Sequence, residues 1–260
     1  MAVEHVTEAV HHGSSGIHVA LSAERLGEFL GIPITNTLIT TWVVMAVLIA
    51  IAFLTRNRLQ FIPNRTQALL EWMFEFVYDY VIETLGSREM ARRFFPLLMT
   101  IFIFVLFLNW FEFLPGVGSI TFDGHPLFRG ANTDLTVPLV LAIMSFLVIE
   151  ITGIMAIGVW KYGGKFLQNP LRSPIGFVIG IIELIGEMVR VVSLSFRLFG
   201  NILAGAVIIS VATFFAPYGA PGLLMLFELF IGLLQAAIFA LLTLFFIKLA
   251  IEEPHGEGAH

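Results

Sequence analysis

The sequence has no cysteine and few charged residues. The absence of cysteine from all 260 residues excludes disulfides and thiolate metal sites. Charged residues make up 13%, about half of the share that is usual in a soluble domain. The net charge of −5 gives no indication of a nucleic-acid partner. Hydrophobic residues make up 58%, and several apolar runs reach the roughly 18 residues of a membrane span. Because these runs lack the polar face of a soluble helix, the sequence predicts a membrane protein.

The apolar runs predict an all-α membrane protein with about five membrane-embedded helices. The first three spans are residues 35–54, 94–114 and 135–160. Between the first two, "TQALLEWMFEFVYDYVIETLG" has an acid at about every helical turn and mostly apolar residues elsewhere. This pattern predicts an amphipathic helix that lies at the membrane interface. The acids are Glu71, Glu75, Asp79 and Glu83.

The C-terminal third of the chain predicts two unusually long helices. From Pro174 to about residue 216 there is no internal proline. A helix of about 40 residues would be about 60 Å long, against a hydrocarbon core of about 30 Å. Such a helix must tilt strongly, lie nearly in the membrane plane, or break. After the turn "APYGAPG", a second apolar helix runs to about residue 251, so residues 174–251 predict a long, strongly tilted hairpin.

Residues 1–34 are predicted to be an extracytoplasmic tail, and residues 35–260 a single membrane domain. The tail is mixed and acidic, and it resembles neither a signal peptide nor a transit peptide, which favours a bacterial plasma membrane, although an organelle-encoded protein would lack a transit peptide too. Its four histidines could suggest a metal site, but the adjacent "GSSG" favours a solvated segment. No metal or cofactor is predicted. The histidines are His5, His11, His12 and His18.

Lysine and arginine in the short loops predict the orientation. The loops after the first and third spans are basic, whereas residues 115–136 contain only Arg129. This distribution places the N-terminus outside and the C-terminus in the cytoplasm.

Polar residues inside the spans are the candidate functional residues, since ionisable groups at membrane depth are costly and rare. Five of them fall within an arc of roughly 80° on the long helix and extend over about 27 Å, with Ser193 nearby. Random scatter would not place them on one side. The five are Glu183, Glu187, Arg190, Arg197 and Asn201.

Further polar residues lie on the other spans. Glu228 and Gln235 share one helix face, and Asn109 and Glu112 share another. Glu150 stands alone on the third span, with Arg190 as one possible partner. Carboxyl groups in apolar surroundings can exchange protons near neutral pH. Because a fixed arginine would block direct passage, these residues predict two half-paths for protons, separated by Arg197 and connected by a moving partner that carries a carboxylate.

The segment "SLSFRLFGNILAG" closely resembles the signature of subunit a of the F-type ATP synthase membrane sector. "NWFEFLPG", "NTDLTVPLVLAI" and "LLQAAIFALLTLFF" are similar to other segments of that family, so the resemblance extends over most of the chain. It implies a non-catalytic stator subunit that forms two offset proton half-channels against the rotating c-ring and couples proton flow to ATP synthesis. The implied partners are the c-ring, the peripheral stalk subunit b and membrane lipid.

The resemblance also implies a role for each matched position. Arg197 matches the essential arginine that faces the c-ring carboxylate. Glu183 matches an acidic position of the inner half-channel, which Glu187 extends. The positions associated with the outer half-channel are Asn109, Glu112, Asn201 and Gln235.

Several positions depart from the family pattern. Ala206 stands where many relatives have Glu or His, and Glu228 stands where some have His, so the outer half-channel is expected to rely on Glu228 without a nearby titratable partner on the other long helix. Arg190 keeps a basic residue near the serine run, and Glu150 matches no position with a known role. A self-contained proton-coupled transporter is the alternative, but there is no internal repeat of the kind that such transporters often have. Proton or sodium as the coupled ion stays open.

Overall fold

The computed structural model describes residues 24–29, 32–56, 63–114, 117, 120–122, 125–166 and 174–251. The four histidines of the predicted tail lie outside these residues. Five of the described helices are long and apolar enough to cross a membrane, which confirms the predicted class. The helices are α1 (Asn36–Arg56), α2 (Arg65–Leu85), α3 (Arg88–Phe111), α4 (Thr136–Ile157), α5 (Val159–Phe166), α6 (Pro174–Phe215) and α7 (Ala220–Ile251).

A short capping segment separates α2 from α3. Gly86 ends α2 with φ +67°, a conformation that glycine adopts without a side-chain clash, and its amide donates to the Ile82 carbonyl at 2.8 Å. Ser87 then accepts a hydrogen bond from the Met90 amide at the start of α3. Helix α2 covers the segment that was predicted to be amphipathic, and several large apolar side chains on it are exposed. Its position at the membrane interface stays a prediction.

Helix α6 is continuous over 42 residues. It is therefore about 63 Å long, and the possibility of a break is excluded. Its tilt stays a prediction. Gly205 on α6 meets Glu228 on α7, and Arg190 on α6 meets Phe246 on α7. Because the later residue of α6 meets the earlier residue of α7, the two helices run antiparallel.

The core lies where α3, α4, α6 and α7 meet. Its central side chains are almost fully buried, and they pack around Phe239 of α7, which has no exposed surface. The other members of this group are Val105, Leu106, Ala142, Leu194, Leu198 and Ala236. This packing fixes which side of α6 faces the bundle and which side is open.

Three parts of the structure were not predicted. The end of the predicted tail forms an antiparallel hairpin of β1 (Arg25–Phe29) and β2 (Ile32–Thr35). Two shorter strands, β3 (Thr121–Phe122) and β4 (His125–Pro126), pair in the loop before α4. Helix α5 lies in the basic loop, where paired glycines lower helix propensity. Tertiary packing overrides that propensity, since Tyr162 of α5 packs on α4.

Candidate functional site

Two buried asparagines join the loop before α4 to α3 and α7. Asn109 donates to the carbonyl of Gly232 at 3.0 Å, and Asn132 donates to Asn109 Oδ1 at 2.7 Å. Both side chains are at least 99% buried. The hydrogen bonds hold three separate parts of the chain in register, because a buried amide without its partners is costly. Asn132 lies in a 3₁₀ turn at Ala131–Thr133.

Glu112 lies just beyond the end of α3, against the backbone of the same loop. Its carboxyl is so close to Gly130 that a Cβ there would stand 2.6 Å from Oε2. Burial, and to a smaller extent the charge of Glu228, raise the pKa of Glu112 from its ordinary 4.5 to about 7, although Arg129 acts to lower it. Arg129 is oriented by a 3.0 Å hydrogen bond to Thr133. Glu112 is therefore placed to change protonation near neutral pH.

Glu228 of α7 fits into the space that Gly205 leaves on α6. A Cβ on Gly205 would overlap the carboxyl of Glu228, and the Glu228 side chain is buried. Glu228 is also close enough to Glu112 for the two charges to interact. The sequence suggested that Glu228 had no titratable partner on α6, where Ala206 occupies the usual position. Its acidic neighbour is instead Glu112, from the end of α3.

Several buried polar atoms near Glu228 lack a hydrogen bond within the described residues. Because almost all buried polar groups in proteins are hydrogen-bonded to protein or water, such atoms indicate where water belongs. Asn201 lies one turn before Gly205 on α6, and Gln235 lies two turns after Glu228 on α7. In the antiparallel pair, these two side chains approach the same level. The atoms are Asn132 Oδ1, Asn201 Nδ2, Glu228 Oε1 and Gln235 Nε2. We call Asn109, Glu112, Arg129, Asn132, Asn201, Glu228 and Gln235 the Glu228 cluster.

Arg197 lies on the open side of α6. Its side chain is exposed, and no carboxylate among the described residues pairs with it. The neighbouring Val192 and Phe196 are at least 50% exposed and apolar, and the site where a Cβ on Gly200 would lie is open. Arg197 also lines a groove of about 340 Å³. The groove is lined by Gly186, Val189, Arg190, Ser193, Leu194, Arg197, Leu242 and Phe246.

On the other side of Arg197, Glu187 and Arg190 form an ion pair on α6. Arg190 Nη1 lies 2.5 Å from Glu187 Oε2, and its guanidinium lies 3.7 Å from the ring centroid of Phe246. Glu187 is 6% exposed, whereas Glu183, one turn earlier, is half-buried. The pair is satisfied internally, so Arg190 differs from Arg197 although both lie on one stripe.

Glu150 reaches this pair through Tyr162. The Tyr162 hydroxyl hydrogen-bonds Glu150 and is also in electrostatic contact with Glu187 and Arg190. Burial raises the pKa of Tyr162 above its ordinary range, and the charge of Glu150 adds to the effect. The ring fills the space beside Gly153, where a Cβ would overlap it. Arg190, which the sequence suggested as a partner of Glu150, is therefore connected to Glu150 through Tyr162. We call Glu150, Tyr162, Glu187 and Arg190 the Glu187 cluster.

The two clusters lie on either side of Arg197 along α6. Glu187 is ten residues before Arg197 and Gly205 is eight residues after it. At 1.5 Å per residue, these separations are about 15 Å and 12 Å. Within the described segments, no three potential metal-ligating side chains come together. The fold and the site therefore define a multi-pass membrane protein in which two clusters of polar and ionisable side chains lie on either side of an exposed arginine.

Comparison with known proteins identifies the family. Residues 38–248 match the model of the family described as ATP synthase A chain. The chain is 35% identical to ATP synthase subunit a of Moorella thermoacetica, over 83% of this chain and 90% of that protein. It is 33% identical to ATP synthase subunit a of Mycobacterium tuberculosis, over 91% of this chain and 96% of that protein. The chain belongs to the ATP synthase subunit a family, which makes it a membrane-sector subunit of an ATP synthase.

Sequence reasoning missed three residues of these clusters. Arg129 and Asn132 lie in a loop whose turn-forming residues drew no attention to side-chain chemistry. Tyr162 lies in the loop that was not expected to be helical. A weak signal was present, since Asn132 precedes an acid in "GANTDL" and Tyr162 is the only tyrosine between residues 81 and 217. Neither pattern indicates which distant side chain the residue contacts.

Proposed function

We propose that this chain is the stator subunit of a rotary F-type ATP synthase and forms two offset aqueous half-channels against the c-ring. Protons enter one half-channel, bind a carboxylate of the ring, travel with it, and leave by the other. The coupling of this flow to rotation supports ATP synthesis in the catalytic sector. The chain itself carries no catalytic site for ATP in this proposal.

The exposure of Arg197 is the observation that carries the proposal. A permanent charge on an otherwise apolar face costs about 2.5 to 3.5 kcal/mol at membrane depth, unless a partner compensates it. Because no described residue does so, the proposed partner is a carboxylate on another subunit. Arg197 would hold that carboxylate ionised and prevent protons from passing directly between the clusters.

The Glu228 cluster forms the outer half-channel. Glu112 and Glu228 are the proton-exchanging groups, and the amides of Asn109, Asn201 and Gln235 supply hydrogen bonds to water. The unsatisfied buried atoms support this assignment, since water in the half-channel would complete their hydrogen bonds. Protons would pass from Glu228 to the ring beside Gly205.

Glu183 and Glu187 form the inner half-channel. Arg190 holds Glu187 in place, and Ser193 lies between Arg190 and Arg197 on the groove that would face the ring. Glu150 supports this half-channel from α4. The path would connect the ring to the cytoplasm.

The proposed assembly follows from these roles. The open face of α6 packs on the c-ring, subunit b of the peripheral stalk prevents rotation of the stator, and lipid covers the other apolar faces. The protein would lie in a bacterial plasma membrane with its N-terminus outside and its C-terminus in the cytoplasm.

The test is ATP-driven proton pumping by the assembled complex in inverted membrane vesicles. Arg197→Ala is expected to abolish pumping, because the other cation that lines this groove, Arg190, is already paired with Glu187. Val192→Ala, at another exposed position of α6, is the matched control and should pump normally. Pumping by Arg197→Ala at the control rate would refute the proposal. Proton flux through the purified chain alone in liposomes would favour a self-contained transporter instead.

A further inference from the structure

We propose that Tyr162 and Glu150 form a second arm of the inner proton path, which runs across the bundle from Glu187 to the end of α4. This arm works in parallel with the one through Glu183. The inference rests on the function proposed above and assigns a role to Glu150, which the family pattern leaves without one, and to Tyr162.

The first support is the state of the Glu150 carboxyl. One oxygen accepts the hydrogen bond of Tyr162, whereas Oε1 is buried and has no partner among the described residues. Glu150 also forms no ion pair with a described residue. If Glu150 served only to hold α5 against α4, a neutral hydrogen-bond acceptor would do the same without the free-energy cost of burying a charge. A carboxyl that exchanges protons with water needs a free oxygen.

The second support is continuity. The Tyr162 hydroxyl contacts Glu150 on one side and lies within electrostatic reach of Glu187 and Arg190 on the other. Arg190 in turn lines the groove that contains Arg197. Polar groups therefore connect the open face of α6 to the neighbouring helix α4.

The third support is the distance to the helix ends. Glu150 is seven residues before Ile157, where α4 ends, which corresponds to about 10 Å. Glu187 is thirteen residues after Pro174, where α6 begins, or about 20 Å. The exit through Glu150 leads to the turn between α4 and α5, next to the exposed Lys161.

In each transfer along this arm, Tyr162 gives up one proton and takes up another. The phenol O–H breaks as its proton moves to the Glu150 carboxylate. A new O–H bond forms when the phenol oxygen takes a proton from the side of Glu187. The proton that the phenol oxygen takes is one that Glu187 has received from the protonated ring carboxyl, so Tyr162 and the Glu187 carboxylate both end unchanged and one proton has moved from the ring to Glu150.

Passive proton flux through vesicles stripped of the catalytic sector tests the proposal. Glu150→Gln and Tyr162→Phe should each lower the flux severalfold, and Glu150→Asp should keep most of it. Tyr162→Phe keeps the ring beside Gly153 and removes only the hydroxyl. Each rate is normalised to the amount of subunit a and c-ring in the membrane, so a loss of assembly is separated from a loss of flux.

Parallel arms make a sharper prediction for the double variant. Glu183→Gln with Glu150→Gln should conduct far less than either single variant. A double variant that conducts as well as Glu183→Gln alone would overturn the second arm, and so would complete loss of flux in assembled Glu150→Gln. The proposed function is tested separately, by the pumping activity of Arg197→Ala.

Access of water to residue 150 distinguishes a proton path from a purely structural contact between α5 and α4. The chain has no cysteine, so Glu150→Cys introduces its only thiol. A water-soluble thiol reagent at the cytoplasmic surface should modify that variant. Ile151→Cys is the matched control, because Ile151 is 54% exposed on an apolar face that lipid would cover. Failure to modify Glu150→Cys in assembled complexes would overturn the aqueous arm.

Discussion

Replacing Gly205 with alanine should displace the Glu228 carboxyl. The added Cβ would stand 2.7 Å from Glu228 Oε2, and the other carboxyl atoms would be closer still. Restoring ordinary contact requires the carboxyl to move by roughly 1 Å, and a misplacement of that size can lower a rate by about 100-fold. Alanine is otherwise the better helix former by about 1 kcal/mol, so the helix itself should not weaken. We expect normal assembly with ATP-driven pumping reduced by one to two orders of magnitude.

The assay is proton pumping in inverted vesicles, normalised to assembled complex. Gly222→Ala is the matched control, because nothing lies within 4 Å of its added Cβ. Glu228→Asp in the Gly205→Ala background shortens the acid by one methylene and should restore part of the rate. Wild-type pumping by Gly205→Ala would refute the reasoning, since it would mean that the carboxyl position is unimportant. A double variant no faster than Gly205→Ala would contradict the steric explanation.

Three further predictions concern the clusters. Asn109→Ala should destabilise the purified complex by about 1–3 kcal/mol in thermal denaturation, because the amide of Asn132 loses its acceptor, and an unchanged midpoint would contradict it. Glu112 should show a protonated carboxyl band in infrared spectra that disappears near pH 7 and is absent in Glu112→Gln. Because its pKa is raised in the folded state, stability should fall as pH rises from about 4.5 to 7, and Glu112→Gln should remove that slope. Arg190→Gln should destabilise the complex by up to about 3 kcal/mol by leaving Glu187 buried without its cation, and Glu187→Gln should recover part of the loss.

The spans could be predicted because they depend on local composition. Predicted and observed bounds of the first span differ by two residues at most, as 35–54 compares with Asn36–Arg56. The second differs more, since α3 begins at Arg88 rather than residue 94. Its first turns carry charge, and the Ser87 cap and packing of Ala91 extend the helix past the apolar run. Hydropathy detects the part of a helix that lipid covers and not its polar extension.

The position of the stripe on α6 could be predicted, but the surroundings of its members could not. The helical period places Arg190 and Arg197 on one side of the helix. Packing decides that Arg190 turns inward to Glu187 and Phe246, while Arg197 stays on the open face. Two arginines of the same stripe thus acquire different environments, and a helix projection contains no information about the neighbouring helices.

The sequence by itself determined the number of spans, the length of α6 and the charged stripe on one side of it, because each depends on composition and helical period. Only the tertiary structure decided that Glu228 enters the space at Gly205, that Glu112 from α3 is its acidic neighbour, and that Tyr162 links Glu150 to Glu187. These contacts join residues far apart in the chain. They depend on the antiparallel packing of α6 and α7, and on the turn at Gly158 that folds α5 back on α4. A sequence pattern specifies which side chains a helix offers, and packing specifies which of them meet.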